Sequence, residues 1–359
     1  MNKRLKIGLM SAWNTDSGAS VCAELIGRSF KKLGHELTVF SFFRDKGTFH
    51  GTRIARKDES YVKRCFSISL QPSPRLNPKL ILERNYDVFM VNDIEMLPYK
   101  QLYEIFPKIK KKSKATINII HTNKPFEDRI FYNFDFDKLI CFDKRYKNFL
   151  SKDFSKSKIS VISYPCNDYN PGVQVSVRKK LNLPLNKKII FTFGITTRSL
   201  PEILPWIKRM QNNLKIMVLI VNPHESVASQ LHNYQGIDIR IIKPGYLPVS
   251  KIYSYLYAAD LLLSNKKSMP GVVLSSMVFQ CLGSGCPIVA FDSNFVENLQ
   301  NEVIKFKNEK EFQTVLNDIF KKGPVYQKTK DVAAKYVKKN SSLNIAQQYL
   351  ELIYSLISS

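Results

Sequence analysis

Short apolar runs alternate with amphipathic stretches along most of the chain, and the period of each stretch predicts its element. Residues 5–11 form an apolar run, the polar loop Trp13-Asn14-Thr15-Asp16-Ser17-Gly18 follows, and Val21, Leu25, Ile26, Phe30 and Leu33 recur at helical spacing up to Gly34. Residues 36–42 then read as a strand, so the chain opens as a β-α-β unit with a glycine in its first loop. Further strands are predicted at 88–91, 117–120, 139–142 and 159–162, spaced widely enough for the crossovers of a parallel sheet covered on both faces. A polar, proline-bearing stretch near 164–177 marks a border, and a second series of strands follows at 189–193, 216–221, 237–241, 261–264 and 288–291. From residue 328 onward, Val332, Tyr336, Ile345, Tyr349, Leu352, Ile353 and Leu356 carry the spacing of one or two helices. The chain shows no internal repeat.

Length agrees with two series: 359 residues at about 150 per domain predict two domains, with a cleft between them. The 44% hydrophobic and 12% aromatic content excludes a disordered or collagen-like chain. No apolar run approaches the roughly 20 residues that cross a bilayer, and residues 1–10 lack the apolar core of a signal peptide, so a cytoplasmic location is expected. The six cysteines show no C-x-x-C spacing, which predicts reduced thiols packed as small hydrophobes and no metal site.

A net charge of +25, from 55 Lys and Arg against 30 Asp and Glu, favours phosphate-rich ligands, anionic membrane surfaces or nucleic acid. The densest cluster, Lys108, Lys110, Lys111, Lys112 and Lys114, follows an amphipathic segment bearing Leu102, Tyr103, Ile105, Phe106 and Ile109. That pattern suits a helix lying on anionic lipid, each lysine contributing about 1 kcal/mol, and equally suits a solvated helix end before a strand. Nucleic acid is an unlikely partner, since no helix-turn-helix, zinc or aromatic-interleaved basic motif accompanies the charge.

The stretch 275–292, S-S-M-V-F-Q-C-L-G-S-G-C-P-I-V-A-F-D, condenses a short helix, the glycines Gly283 and Gly285, Pro287 and a buried strand into one helix-to-strand unit. Such a unit is expected at a ligand site. Gln280 lies one turn before the glycines, where small residues are expected to let a ligand approach the backbone.

In order along the chain, several motifs resemble the GT-B glycosyltransferases, in particular family 4 and the spore-maturation-type transferases. They are Ser17-Gly18 with its helix and the run Leu33-Gly34-His35-Glu36-Leu37-Thr38-Val39; Ile119-Ile120-His121; Val161-Ile162-Ser163-Tyr164-Pro165; residues 188–194; Gly245-Tyr246-Leu247-Pro248; Leu256-Tyr257-Ala258-Ala259-Asp260; and 275–292. The resemblance implies an α/β GT-B fold: two Rossmann-like, doubly wound parallel-sheet domains facing a central cleft. Residues 1–170 would form the acceptor-side domain, 171–335 the nucleotide-sugar domain, and 336–359 a helix packing back on the first.

The same resemblance implies transfer of a sugar from a UDP- or GDP-sugar to a glycan or lipid-linked acceptor, with retention of configuration and no metal or other cofactor. A diphosphate leaving group of about two negative charges must then be met by backbone N–H groups, a helix N-terminus and a cation. By resemblance Arg198 is that cation, Ser17 and Gly18 approach the donor phosphates, and His121 bonds the transferred sugar. Tyr246 and Leu247 lie near the base, while Ser275, Ser276 and Gln280 line the donor wall. A second cation usual about five residues after Arg198 is absent, Glu202 and Ile203 standing there, and Lys208 and Lys266 are the candidates to replace it. The paired glutamates of the family fall on Val272 and Gln280. A glutamine still accepts from one ribose hydroxyl and donates to another, a change costing about 1–3 kcal/mol in binding.

The missing carboxylates support a second reading, a GT-B accessory or binding protein without catalysis. Asp135-Phe136-Asp137 matches the D-x-D metal motif of the other glycosyltransferase fold class, a three-residue pattern common by chance.

Overall fold

The computed structural model describes residues 3–15, 17–43, 54, 56–69, 73–122, 124–211, 214–245 and 247–358. They fall into two compact units: Met1–Pro165 with Pro270–Ser276 and Asn340–Ser359, and Cys166–Met269 with Met277–Lys339.

The first unit is built on seven parallel strands: β1 (Lys6–Met10), β2 (Glu36–Phe42), β3 (Val62–Phe66), β4 (Tyr86–Asn92), β5 (Ser113–Ile119), β6 (Lys138–Cys141) and β7 (Ile159–Val161), in the order β3-β2-β1-β4-β5-β6-β7. The central β4 is buried at every position, as expected of a parallel strand covered on both faces. Its register with β1 pairs Ile7 with Val88, while β1 pairs Ile7 with Leu37 on its other side. Chain direction along the sheet therefore reverses between β1 and β4, which makes a topological switch point there.

Helices α1 (Gly18–Lys32), α2 (Pro78–Leu82), α3 (Tyr99–Lys111) and α4 (Lys144–Leu150) provide crossovers. Helix α1 begins where the Ser17 hydroxyl accepts from Ser20 N–H and stops before Gly34, whose φ of 88° lies in the left-handed region.

The second unit repeats the plan with six strands: β8 (Lys188–Gly194), β9 (Ile216–Pro223), β10 (Asp238–Ile242), β11 (Leu261–Ser264), β12 (Ile288–Phe291) and β13 (Ile304–Phe306), in the order β10-β9-β8-β11-β12-β13. Here the switch point lies between β8 and β11. Its helices are α5 (Gln174–Lys180), α6 (Leu200–Met210), α7 (Glu225–His232), α8 (Val249–Ala258), α9 (Ser276–Leu282), α10 (Glu309–Lys321) and α11 (Pro324–Lys339). Helix α12 (Ser342–Ser358) returns to the first unit, where the fully buried Tyr349 meets Phe30 of α1 edge to face at 6.4 Å between ring centroids.

The lysine-rich helix differs from expectation. Leu102, Phe106 and Ile109 of α3 are buried in the fold, with Phe106 meeting Phe134 edge to face and Phe136 at a tilt, so the apolar face covers the sheet rather than meeting lipid. Lys110 is ion-paired with Asp135 and Asp137, and Lys114 with Asp87. Lys108, Lys111 and Lys112 complete the helix end, Lys108 and Lys111 exposed and Lys112 half-buried. No described helix is long and apolar enough to cross a membrane.

Candidate functional site

In a doubly wound sheet, ligands bind beyond the carboxyl ends of the strands at the switch point. In the first unit that edge carries the loop after β1, the end of β4 and His121 just past β5. The loop is pinned from several sides. Asn14, at a φ of 58°, donates its N–H to Glu24 Oε1 at 2.8 Å. Arg28 bridges Glu24 and Glu59 at 2.5 and 2.9 Å and stacks over the buried Trp13 ring at 5.0 Å. Hydrogen bonds from Trp13, Asn14 and Arg28 outweigh the burial of Glu59 and hold its carboxyl down at about 2.

Asn92, fully buried at the end of β4, organises the edge. Its amide nitrogen donates to Ser11 Oγ at 2.9 Å and to the Ala19 carbonyl at 3.1 Å. Because a carbonyl can only accept, the amide orientation is fixed and Asn92 Oδ1 must accept from His121 Nε2, 3.0 Å away. His121 therefore carries its proton on Nε2. Burial lowers its pKa to about 3, so the ring is neutral near pH 7 and Nδ1 remains a hydrogen-bond acceptor. A neutral ring with so low a pKa is suited to orienting a hydroxyl rather than to acting as a general base.

Asp93 follows, in the left-handed region at a φ of 59°, a strained setting for a non-glycine residue. Its carboxylate makes no hydrogen bond or ion pair with a described residue. Burial and then the charge of Glu95 push its pKa up to about 7. Sequence reasoning passed over this residue; the signal available was an Asn-Asp pair closing an apolar strand.

Ser17 and Gly18 lie on the same edge, with different neighbours from those expected. The Ser17 hydroxyl is committed to capping α1 and to Thr15 Oγ1 at 3.2 Å. A Cβ on Gly18 would fall 2.6 Å from Ser276 Oγ, so the close approach that requires glycine there is made by the segment Pro270–Ser276. In that segment Ser275 is buried with its hydroxyl unpartnered.

In the second unit, β8 ends at Gly194, with φ of 59°, and a 3-10 turn, Ile195–Ser199, leads into α6. Arg198 is exposed in that turn, its Nη2 2.7 Å from His224 Nε2. His224 Nδ1 accepts from Ser226 N–H at 3.2 Å, capping α7, and lies 2.8 Å from Ser226 Oγ. Across the switch point, Asn265 just past β11 donates to the Ser199 carbonyl at 2.8 Å, and Lys267 pairs with Glu202 at 2.5 Å.

Gln280 sits on α9 with 8% of its surface exposed. Its carbonyl accepts from Asn167 Nδ2 and from the Tyr253 hydroxyl, both at 2.9 Å, while its side-chain amide has no partner among the described residues. The glycines beyond it serve the fold. A Cβ on Gly283 would meet the Asn167 carbonyl at 2.6 Å, and one on Gly285 would meet Pro171 at 3.1 Å. The backbone approach expected from a ligand is thus made by the chain's own linker. Leu247 is half-buried two residues past Gly245, whose carbonyl accepts from Asn222; Tyr246 lies outside the described residues.

The two aspartates of the D-x-D match are structural. Asp135 is held at about 2 by Lys110 and Lys158, and Asp137 Oδ2 accepts from the backbone and hydroxyl of Thr116, both at 2.7 Å.

No family model matches the chain. Among solved structures, a glycosyltransferase from Rickettsia africae is 16% identical, covers 99% of both chains and superposes with a TM-score of 0.67. A sucrose-phosphate synthase from Thermosynechococcus elongatus is 13% identical over 99% of this chain and 100% of its own, with a TM-score of 0.70. HepE from Anabaena, in complex with UDP-glucose, is 15% identical over 98% and 100%, with a TM-score of 0.68. The fold is thus GT-B: two doubly wound units of parallel strands with helices around each sheet.

Proposed function

We propose that the protein is a glycosyltransferase that moves a sugar from a nucleoside-diphosphate donor to a glycan or lipid-linked acceptor, retaining configuration and without a metal. The observation that carries this reading is the position of Gln280 on α9, whose side-chain amide has no hydrogen-bond partner among the described residues, where the family resemblance places the ribose.

In this reading the second unit holds the nucleotide: Gln280 takes the ribose diol, Arg198 the diphosphate, and the backbone around Tyr246 and Leu247 the base. The first unit handles the hydroxyls. His121 Nδ1 accepts from the transferred sugar, and Asp93, ionised above about pH 7, accepts from the acceptor hydroxyl and orients it. The bond from the anomeric carbon to the diphosphate breaks, the acceptor oxygen bonds to that carbon, and its proton leaves with the diphosphate.

Calorimetric titration with UDP and GDP in the presence of a chelator tests the reading; no heat at millimolar nucleotide would reject it. With a donor identified, His121→Ala is expected to lower turnover by about 100-fold while nucleotide binding persists.

The absent carboxylates at Val272 and Gln280 favour one alternative, a GT-B accessory protein that binds without catalysis. Sugar release or transfer from any nucleotide donor, lost in the His121 variant, decides against it. We further propose attachment at the cytoplasmic face of an anionic membrane through Lys108, Lys111 and Lys112, by charge alone because the apolar side of α3 is buried. Equal binding to neutral and anionic vesicles would remove that attachment.

A further inference from the structure

We propose that Arg145 is a positioning residue, which holds the segment Pro270–Ser276 against the carboxyl edge of the first sheet and so fixes the hydroxyls of Ser275 and Ser276 there. The inference rests on the nucleotide-sugar reading for the ligand that those hydroxyls meet, and on the geometry of the first unit for the hold itself.

The segment has no regular structure of its own. Residues 265–275 lie in neither helix nor strand, and 267–271 are exposed. Gly271 turns the chain there at a φ of 89°, in the left-handed region. A stretch of this kind keeps one conformation only where side chains from other elements hold it. Pro270–Ser276 nevertheless belongs to the first unit, while the residues before and after it belong to the second.

Arg145 supplies such a hold. Just past β6, Asp143 caps α4, its Oδ1 accepting from the backbone N–H groups of Arg145 at 2.8 Å and of Tyr146 at 3.3 Å. The carboxylate fixed in this way also takes the arginine side chain: Nη2 donates to Asp143 Oδ2 at 2.8 Å, and Nε lies 3.3 Å from both oxygens. Aimed by that pair, Nη2 also donates to the Val273 carbonyl at 3.1 Å, 128 residues away in sequence. Only 20% of the arginine side chain and 15% of the aspartate side chain are exposed, so water competes weakly for these bonds.

The neighbours put this hold on the edge that carries His121 and Gly18. Phe142, next to Asp143, meets the His121 ring edge to face at 4.8 Å between centroids and the Tyr164 ring at 5.2 Å. The Tyr164 hydroxyl donates to the Gly18 carbonyl at 2.8 Å, and Ser276 packs above Gly18. A run of contacts thus joins His121 to the turn that receives Ser276, and Arg145 ties the same segment down at Val273. Between these two holds Ser275 is buried, with a hydroxyl that has no partner among the described residues. An unpaired hydroxyl is useful to a ligand only while the backbone that carries it stays in place.

The test reads the segment and the ligand separately, on the full chain, for wild type, Arg145→Met, Asp143→Asn and the exposed neighbour Lys144→Met. Thermal unfolding confirms that each variant folds. In brief thermolysin digestion, cleavage on the amino side of Val272, Val273 or Leu274 is located by mass spectrometry. It is expected to be about 10-fold faster in Arg145→Met, about 3-fold faster in Asp143→Asn and unchanged in Lys144→Met. Asparagine still caps the helix but lacks the charge that aims the arginine. In titrations with UDP and GDP in chelator, Arg145→Met is expected to bind about 10-fold more weakly than wild type. Unchanged cleavage in Arg145→Met, or cleavage that rises equally at sites outside Pro270–Ser276, would overturn the assignment. So would faster cleavage of the segment with nucleotide binding equal to wild type, because the segment would then be held for the fold alone. If wild type binds neither nucleotide while cleavage still rises in Arg145→Met, the hold stands and the nucleotide-sugar reading fails.

Discussion

The switch point of the first sheet and that of the second share a topology and differ in how their polar groups are satisfied. At the first, Asn92 is bonded on three sides, to Ser11, Ala19 and His121, and the loop after β1 is locked by the Arg28, Glu24 and Glu59 cluster. At the second, helix α6 starts without a side-chain cap, and Arg198 lies against His224 on the surface. Yet each edge keeps one ionisable group without an ion pair among the described residues: a carboxylate at Asp93 and, over the Phe295 ring, an ammonium at Lys266. The lesson is that a rigid frame can carry an unsatisfied charge of either sign, and that the sign tells which ligand group suits it.

The comparison breaks first at Asn92. Replacement by Leu removes an acceptor for His121 and two donors from a fully buried position, and is expected to cost about 3 kcal/mol in urea unfolding. A loss below about 1 kcal/mol would mean that the first edge is not held by this amide.

Asp93→Asn should act in the opposite direction. With its pKa raised from 3.8 to about 7, the folded protein keeps a proton that the unfolded chain releases across that window. Stability is therefore present at low pH and is lost as pH climbs to about 7. The variant should be more stable by about 2 kcal/mol at pH 8, and its stability should be flatter between pH 4 and 7. Parallel pH profiles for variant and wild type would show that Asp93 has a partner in solution.

Lys266→Met gives the mirror image on a smaller scale, with a gain of about 1 kcal/mol at pH 7. Its folded pKa lies below the ordinary 10.5, so wild-type stability should rise relative to the variant between about pH 8 and 10.5. A falling difference across that range would contradict the depressed value. Smallest of all, Arg198→Ala should change stability by less than about 0.5 kcal/mol, because the side chain is exposed. A larger loss in melting temperature would give Arg198 a role in the fold, and not in ligand capture alone.

Elements with long apolar runs were legible in the sequence. Strands β1, β2, β4, β8, β9, β11 and β12 announce themselves because most of their positions are buried on both faces, and hydrophobicity then needs no alternation. The edge strands β3 and β13 did not. β3, with Lys63 and Arg64 in its middle, is half-buried, and β13 is three residues long, so neither carries enough apolar length to register. The glycines were located correctly and given the wrong neighbours. Which atom fills the space above Gly18 or Gly283 depends on segments more than a hundred residues distant, Ser276 in one case and Asn167 in the other. Likewise the pattern of α3 predicts an apolar face and not what covers it; Phe134 and Phe136 do. Asp93 was invisible for a related reason, since a left-handed backbone and a missing partner are properties of the folded edge.

Helix α12 sets the order in which the protein can finish folding. A ribosome delivers β1 to β7 first and the second unit next, yet Phe30 of α1 waits for Tyr349 of α12, which follows both. The unit that emerges first is thus the last to be complete. Until α12 has emerged, the first unit exposes the face of α1 that Tyr349 will cover, a surface that a chaperone or a second nascent chain can reach and that the finished molecule hides.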